Sequence, residues 1–151
     1  MMKSMHKFFA ALALLLFANS AFAQCDVTVE VGDNLTFSVG SSMEMPADCA
    51  EITLTIKHTG TLPAAAMGHN WVLTKTADFQ PVAQAGLGAG VANNYLPSDD
   101  ARIIAATKLI GGGESDTITF STEGMEAGGD YTFFCSFPGH WAVMKGTFAL
   151  N

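Results

Sequence analysis

Basic residues, cysteines and histidines are all scarce in this 151-residue chain, and each shortage excludes something. Only 7 lysines and arginines stand against 14 aspartates and glutamates. That balance argues against nucleic acid and anionic membranes as partners, since both recruit clustered Lys and Arg. No apolar run reaches the roughly 20 residues that a membrane-spanning helix needs. The run from Phe8 to Ala18 has 11. Internal repeats, low-complexity tracts and linkers are also absent, which leaves a single domain as the simplest organisation.

The N-terminus has its own logic. Lys3 and Lys7 precede the apolar run, and Ala21-Phe22-Ala23 offers a small-x-small site before Gln24. This is the pattern of a secretory signal peptide, so residues 1–23 are set aside and 24–151 are read as the mature domain. Cys25 after the cut could suggest a lipid anchor, but Gln24 is not the small residue such processing needs. Without Lys3 and Lys7, five basic residues face 14 acidic ones, a net charge of −9. In an oxidising compartment three cysteines imply one pair and one remainder. Cys25 and Cys49 lie among turn-like and polar residues, whereas Cys135 ends the run Tyr131-Thr132-Phe133-Phe134. We pair Cys25 with Cys49 and leave Cys135 free, a state that an exported protein keeps most readily when a metal protects the thiol.

Period-2 alternation dominates the rest of the chain. Val27, Val29 and Val31 share one face, as do Leu35, Phe37 and Val39, then Ile52, Leu54 and Ile56. The pattern returns at Trp71 to Leu73, Ile118 and Phe120, Tyr131, Phe133 and Cys135, and Phe148 and Leu150. Clusters of Gly, Asn and Asp separate these runs. The expected fold is all-β, a Greek-key sandwich or barrel of about eight strands. The alternation stops between residues 77 and 94, where an Ala/Gly/Gln-rich stretch reads as an inserted helical flap. His58 continues the inward face of Ile52, Leu54 and Ile56, so it is read as a hydrogen-bonded core histidine.

The chemistry concentrates in Cys135-Ser136-Phe137-Pro138-Gly139-His140-Trp141-Ala142-Val143-Met144, ten residues without one formally charged side chain. Thiolate and thioether are soft ligands that favour Cu(I), and imidazole suits both copper oxidation states. One more imidazole is needed, and His69, in phase with Trp71 and Leu73, supplies it from a second inward-facing segment. With only three histidines after residue 23, a second copper centre has no ligands, which argues against an oxidase. A Cys–His hydrolase would use Cys135 as nucleophile and His140 as base, but it lacks a third orienting group and leaves Met144 unexplained. Structural zinc would want a fourth strong ligand.

The segments Met67-Gly68-His69-Asn70-Trp71-Val72-Leu73, Thr107-Lys108-Leu109-Ile110-Gly111 and Phe133-Phe134-Cys135-Ser136-Phe137-Pro138-Gly139-His140 with Met144-Lys145-Gly146-Thr147 resemble the azurins, blue-copper proteins of the cupredoxin fold. The resemblance covers essentially all of the mature chain. It implies one copper per chain, with His69, Cys135 and His140 in a trigonal plane and Met144 and the Gly68 carbonyl as long axial contacts. It also implies that the Asn70 and Phe137 backbone N–H groups approach the cysteine sulfur, and that Cys25 and Cys49 are bonded. The implied function is one-electron shuttling in the periplasm by a monomer that is not an enzyme. The redox partners would be c-type cytochromes or periplasmic oxidoreductases, docking on an apolar patch of Met67, Leu87, Phe137, Pro138, Gly139 and Trp141 around His140, the electron port. Four positions depart from the family pattern: Thr59 stands where a proline is frequent, Ala106 where a surface histidine is common, Leu87 for a methionine, and Trp141 for a small residue.

Overall fold

The computed structural model describes residues 24–151; the expected signal segment lies outside them. Eight strands form two sheets. The first sheet contains β1 (Asp26–Val31), β3 (Glu51–His58) and β6 (Ser115–Ser121), in the order β1-β3-β6. The second contains β2 (Ser42–Met45), β4 (Val72–Lys75), β5 (Ile103–Ala106), β7 (Tyr131–Phe134) and β8 (Lys145–Leu150), in the order β2-β8-β7-β4-β5. The pairs β1–β3 and β2–β8 are parallel and the other pairings antiparallel. The alternation read from the sequence faces one shared core, where Val29, Val31, Ile52, Leu54 and Ile56 meet Trp71, Leu73, Phe133, Phe148 and Leu150. Among the described residues the arrangement is a sandwich, and no closed barrel forms.

Two parts of the chain differ from the alternation. Leu35, Phe37 and Val39 do not form a strand: Phe37 is buried, but Leu35 is 38% exposed. Ser38 turns the chain back onto the end of β1, donating its N–H to Glu30 O and accepting the Glu30 N–H on Oγ. The strand begins only after Gly40, at β2, whose Met43 and Met45 point into the core. In β7 every residue is buried, not every second one. The cause is the flap. It contains α2 (Thr76–Ala89) and a single 3-10 turn at Val91–Asn93. Val82 and Ala83 of α2 pack with Val72 and Phe134 on the outer face of the five-stranded sheet. A second short helix, α1 (Ala64–Met67), leads directly into Gly68 and His69.

Cys25 and Cys49 form the disulfide, and Cys135 is the free, buried thiol. The bridge ties the start of β1 to the entry of β3. Closing a loop of 24 residues' separation contributes about 3.5 kcal/mol through lost unfolded-state entropy. The Cys25→Ser, Cys49→Ser double variant is therefore expected to lose about 2–4 kcal/mol in urea unfolding, with the fold retained.

Candidate metal centre

His69 and Cys135 come from strand ends that the second sheet holds side by side. Val72 of β4 pairs with Phe134 of β7, so the residues just before one strand lie against those just after the other. His69 is held from its other side by a two-way bridge to Ile110, at 3.0 and 2.9 Å. Gly68 fits only as glycine, because a Cβ would lie 2.4 Å from the Ala64 carbonyl and 3.0 Å from Leu109. This close packing brings the Gly68 carbonyl oxygen to 3.9 Å from Cys135 Sγ.

The loop after Cys135 is folded back by its own backbone. Gly139 takes φ 83°, a left-handed conformation that suits glycine, and leads into a 3-10 turn at His140–Ala142. His140 donates its N–H to Phe137 O at 2.9 Å and accepts the Met144 N–H at 2.8 Å. Cys135 in turn donates to Met144 O at 3.0 Å. Met144 is 1% exposed and packs in the same core cluster as Cys135.

Cys135 Sγ lies 3.8 Å from His69 Nδ1 and 3.7 Å from His140 Nδ1. The three donor atoms are all within 4.8 Å of one another, and their residues are buried. A first-row ion with bonds of about 2.3 Å to sulfur and about 2.0 Å to nitrogen, set about 120° apart, spaces sulfur and nitrogen by about 3.7 Å. The triangle has the size that such an ion requires. His69 is also held in the ligating tautomer: its Nε2 lies 2.9 Å from the Gly32 carbonyl and donates to it, leaving the Nδ1 lone pair to face the sulfur.

Burial sets the protonation of these groups. It lowers the His69 pKa to about 4 against the opposing pull of the Gly32 hydrogen bond, and lowers that of His140 too. Both imidazoles are neutral at pH 7, as ligands must be. Burial also raises the Cys135 thiol to about 11, while the backbone N–H groups of Asn70 and Phe137 pull it back down. Those two N–H groups stabilise a thiolate at the sulfur.

The profile of the copper binding proteins, plastocyanin/azurin family, matches residues 20–151. This chain belongs to that family. It is 52% identical over 128 residues to an azurin of Bordetella pertussis, an alignment spanning 85% of each chain. An azurin of Pseudomonas fluorescens biotype C is 52% identical over 129 residues, covering 85% of this chain and all of that one. Among solved structures, an azurin (Az-iso2) from the methylotroph Methylomonas sp. strain J superposes with a TM-score of 0.81 at 45% identity, over 85% of this chain and 99% of that chain. The azurin-type group His69, Cys135 and His140 can hold one copper ion.

Other side chains pack around the centre. His58 is a core histidine as expected: it is 1% exposed, with Nε2 3.0 Å from Met67 O and Nδ1 accepting the Gly60 N–H. Its ring stacks on His69 at 5.2 Å. Trp141 is half-buried, its ring meeting Phe79 of α2 edge-on at 6.0 Å, and Phe79 also touches Phe134 and lies under Lys145 Nζ. The Gly32 acceptor escaped sequence reasoning altogether. A backbone carbonyl carries no side-chain signal, and its place depends on how β1 meets β4 across the sandwich.

The protonation states give a direct test. With both imidazoles already neutral, metal uptake near pH 7 is expected to release about one proton, from the thiol. Apparent affinity should rise about tenfold per pH unit below the thiol pKa of about 11. Proton release in weakly buffered calorimetry measures the number; a value near zero would mean that the thiol is not a ligand.

Proposed function

We propose that this protein is an exported blue-copper carrier that shuttles single electrons between redox partners in the periplasm, as a monomer of one domain, residues 24–151. The observation that carries the reading is the buried His69–Cys135–His140 triangle, whose spacing fits one trigonal ion. The proposed plane is His69 Nδ1, Cys135 Sγ and His140 Nδ1, with Met144 and the Gly68 carbonyl as weak axial contacts. The carbonyl's 3.9 Å distance from the sulfur supports its place beside the plane. Export follows the signal pattern of residues 1–23. Among the described residues, no helix is long and apolar enough to cross a membrane.

When bound, copper supplies the one-electron couple; the residues supply a geometry that need not change as the charge changes. His69 is anchored through Nε2, Cys135 through its own N–H, and His140 through both sides of its turn. The Asn70 and Phe137 N–H groups lower the electron density on sulfur, which favours the reduced state. Burial keeps water and charged groups from rearranging around the donors, so little reorganisation accompanies each transfer.

Docking falls to the uncharged surface around His140, the proposed electron port. Pro138, Gly139 and Leu87 are exposed, whereas Met67, Phe137 and Trp141 are half-buried. A small apolar surface suits partners that must leave quickly, such as c-type cytochromes or periplasmic oxidoreductases.

Adding Cu(II) to the thiol-reduced protein is expected to give an intense blue absorption that bleaches under reductant. A colourless product would sink the copper reading. Cys135→Ser should abolish the colour, while Met144→Ala should keep it and move the reduction potential. Leu87→Glu should slow electron exchange with a cytochrome c by about tenfold without changing the potential, the cost of burying an unpaired charge at an encounter surface. An unchanged rate would place the docking surface elsewhere.

A further inference from the structure

The flap ends in an uncommon backbone. Asn94 and Tyr95 are consecutive non-glycine residues with φ 55° and 52°. Only a few per cent of such residues adopt left-handed conformations, asparagine more readily than most. Asn94 has ψ 26°, and its N–H closes the preceding turn onto Val91 O. Its carbonyl accepts two hydrogen bonds, from Asn70 Nδ2 at 3.1 Å and from Ser136 Oγ at 2.9 Å. Its side-chain Oδ1 accepts the Leu109 N–H at 2.9 Å. The next ring, Tyr95, meets Phe137 edge-on at 5.4 Å.

These partners are the immediate neighbours of the copper ligands. Asn70 follows His69, Ser136 follows Cys135, and Leu109 precedes the Ile110 that bridges His69. Asn70 and Ser136 are wholly buried. Their donors form a closed ring: Asn70 Nδ2 donates to Ser136 Oγ and to Asn94 O, and Ser136 Oγ donates to the same Asn94 O. Moving that one carbonyl would leave a buried amide hydrogen and a buried hydroxyl hydrogen without acceptors, in a site that water does not reach.

We propose that Asn94 is a positioning residue for the metal centre: its left-handed backbone aims one carbonyl at Asn70 and Ser136 and so locks the two ligand-bearing segments together. The lock stands on hydrogen bonds alone; its effect on copper rests on the ligand assignment made above. The backbone carbonyl makes the lock, so for the Asn70–Ser136 pair the identity of residue 94 matters through its tolerance of the left-handed conformation; the Oδ1 bond to the Leu109 N–H is lost alike in every variant below and does not set their order. Glycine tolerates it freely, alanine at some cost, and β-branched valine poorly.

The test is the series Asn94→Gly, Asn94→Ala and Asn94→Val in the full mature protein. In the copper-free form, exchange of the Ser136 amide hydrogen, which bonds to Asn70 Oδ1, reports the lock directly. Exchange is expected within about threefold of wild type for Gly, at least about tenfold faster for Val, with Ala between. In the copper form, release of copper to a chelator should follow the same order. Wild-type exchange in the Val variant, or equal acceleration by Gly and Val, would overturn the proposal; should Val fail to fold, a Gly variant exchanging as fast as Ala does so. Altered exchange with unchanged copper release would also overturn it, by confining Asn94 to a structural role. A colourless wild type with the exchange order intact would instead count against the copper assignment, so the two failures are distinguishable.

Discussion

Two short hydrogen bonds between one pair of residues join the halves of this metal centre. Asn70 Oδ1 accepts the Ser136 N–H at 2.8 Å, and Asn70 Nδ2 donates to Ser136 Oγ, also at 2.8 Å. The two residues are 66 positions apart, and each directly follows a donor of the triangle. Both are wholly buried, so water offers no alternative partner and the pairing cannot relax cheaply. The relative placement of His69 and Cys135 depends on this pair and on the β4–β7 ladder beneath it. The return of the loop to Cys135 through Met144 O then sets where His140 can sit.

The same burial that makes these hydrogen bonds stiff makes the site selective in its chemistry. Burial keeps the imidazoles neutral and the thiol protonated, so the three donor groups carry no charge of their own that the fold must compensate. A carboxylate in this position would have favoured harder ions, and the donor set of one sulfur and two nitrogens belongs to softer ones. The two N–H groups aimed at Cys135 Sγ prepare the sulfur for negative charge. Stability and the proposed function meet here, since the rigidity that burial imposes on these side chains is what the proposed electron carrier would require.

The flap has a larger part than a covering element. α2 seals the outer face of β4 and β7, which is why β7 lacks alternation, and Trp141 reaches from the ligand loop to Phe79 on that helix. Its end delivers the Asn94 carbonyl to the Asn70–Ser136 pair. An insertion that interrupts the β pattern is thus fastened to the centre on two sides, by aromatic packing and by hydrogen bonds.

The sequence by itself determined the class of fold, the core faces of most strands, the pairing of Cys25 with Cys49 and the three side chains, His69, Cys135 and His140, that the fold gathers into one group. Those are carried by side-chain type at fixed spacing: Ile52, Leu54, Ile56 and His58 share a face because strand periodicity is two, and Cys135, His140 and Met144 share a loop because few residues separate them. Leu35 to Val39 misled because alternation says nothing about where backbone partners exist, and Ser38 finds its partner in Glu30 instead of a neighbouring strand. Tertiary structure alone decided what surrounds the donors: the Gly32 carbonyl on His69, the Asn94 carbonyl on Asn70 and Ser136, and the Phe79 ring under Trp141. Two of these three partners are main-chain oxygens, chemically the same at every residue, and only the path of the folded chain distinguishes the one that meets a ligand from the many that do not.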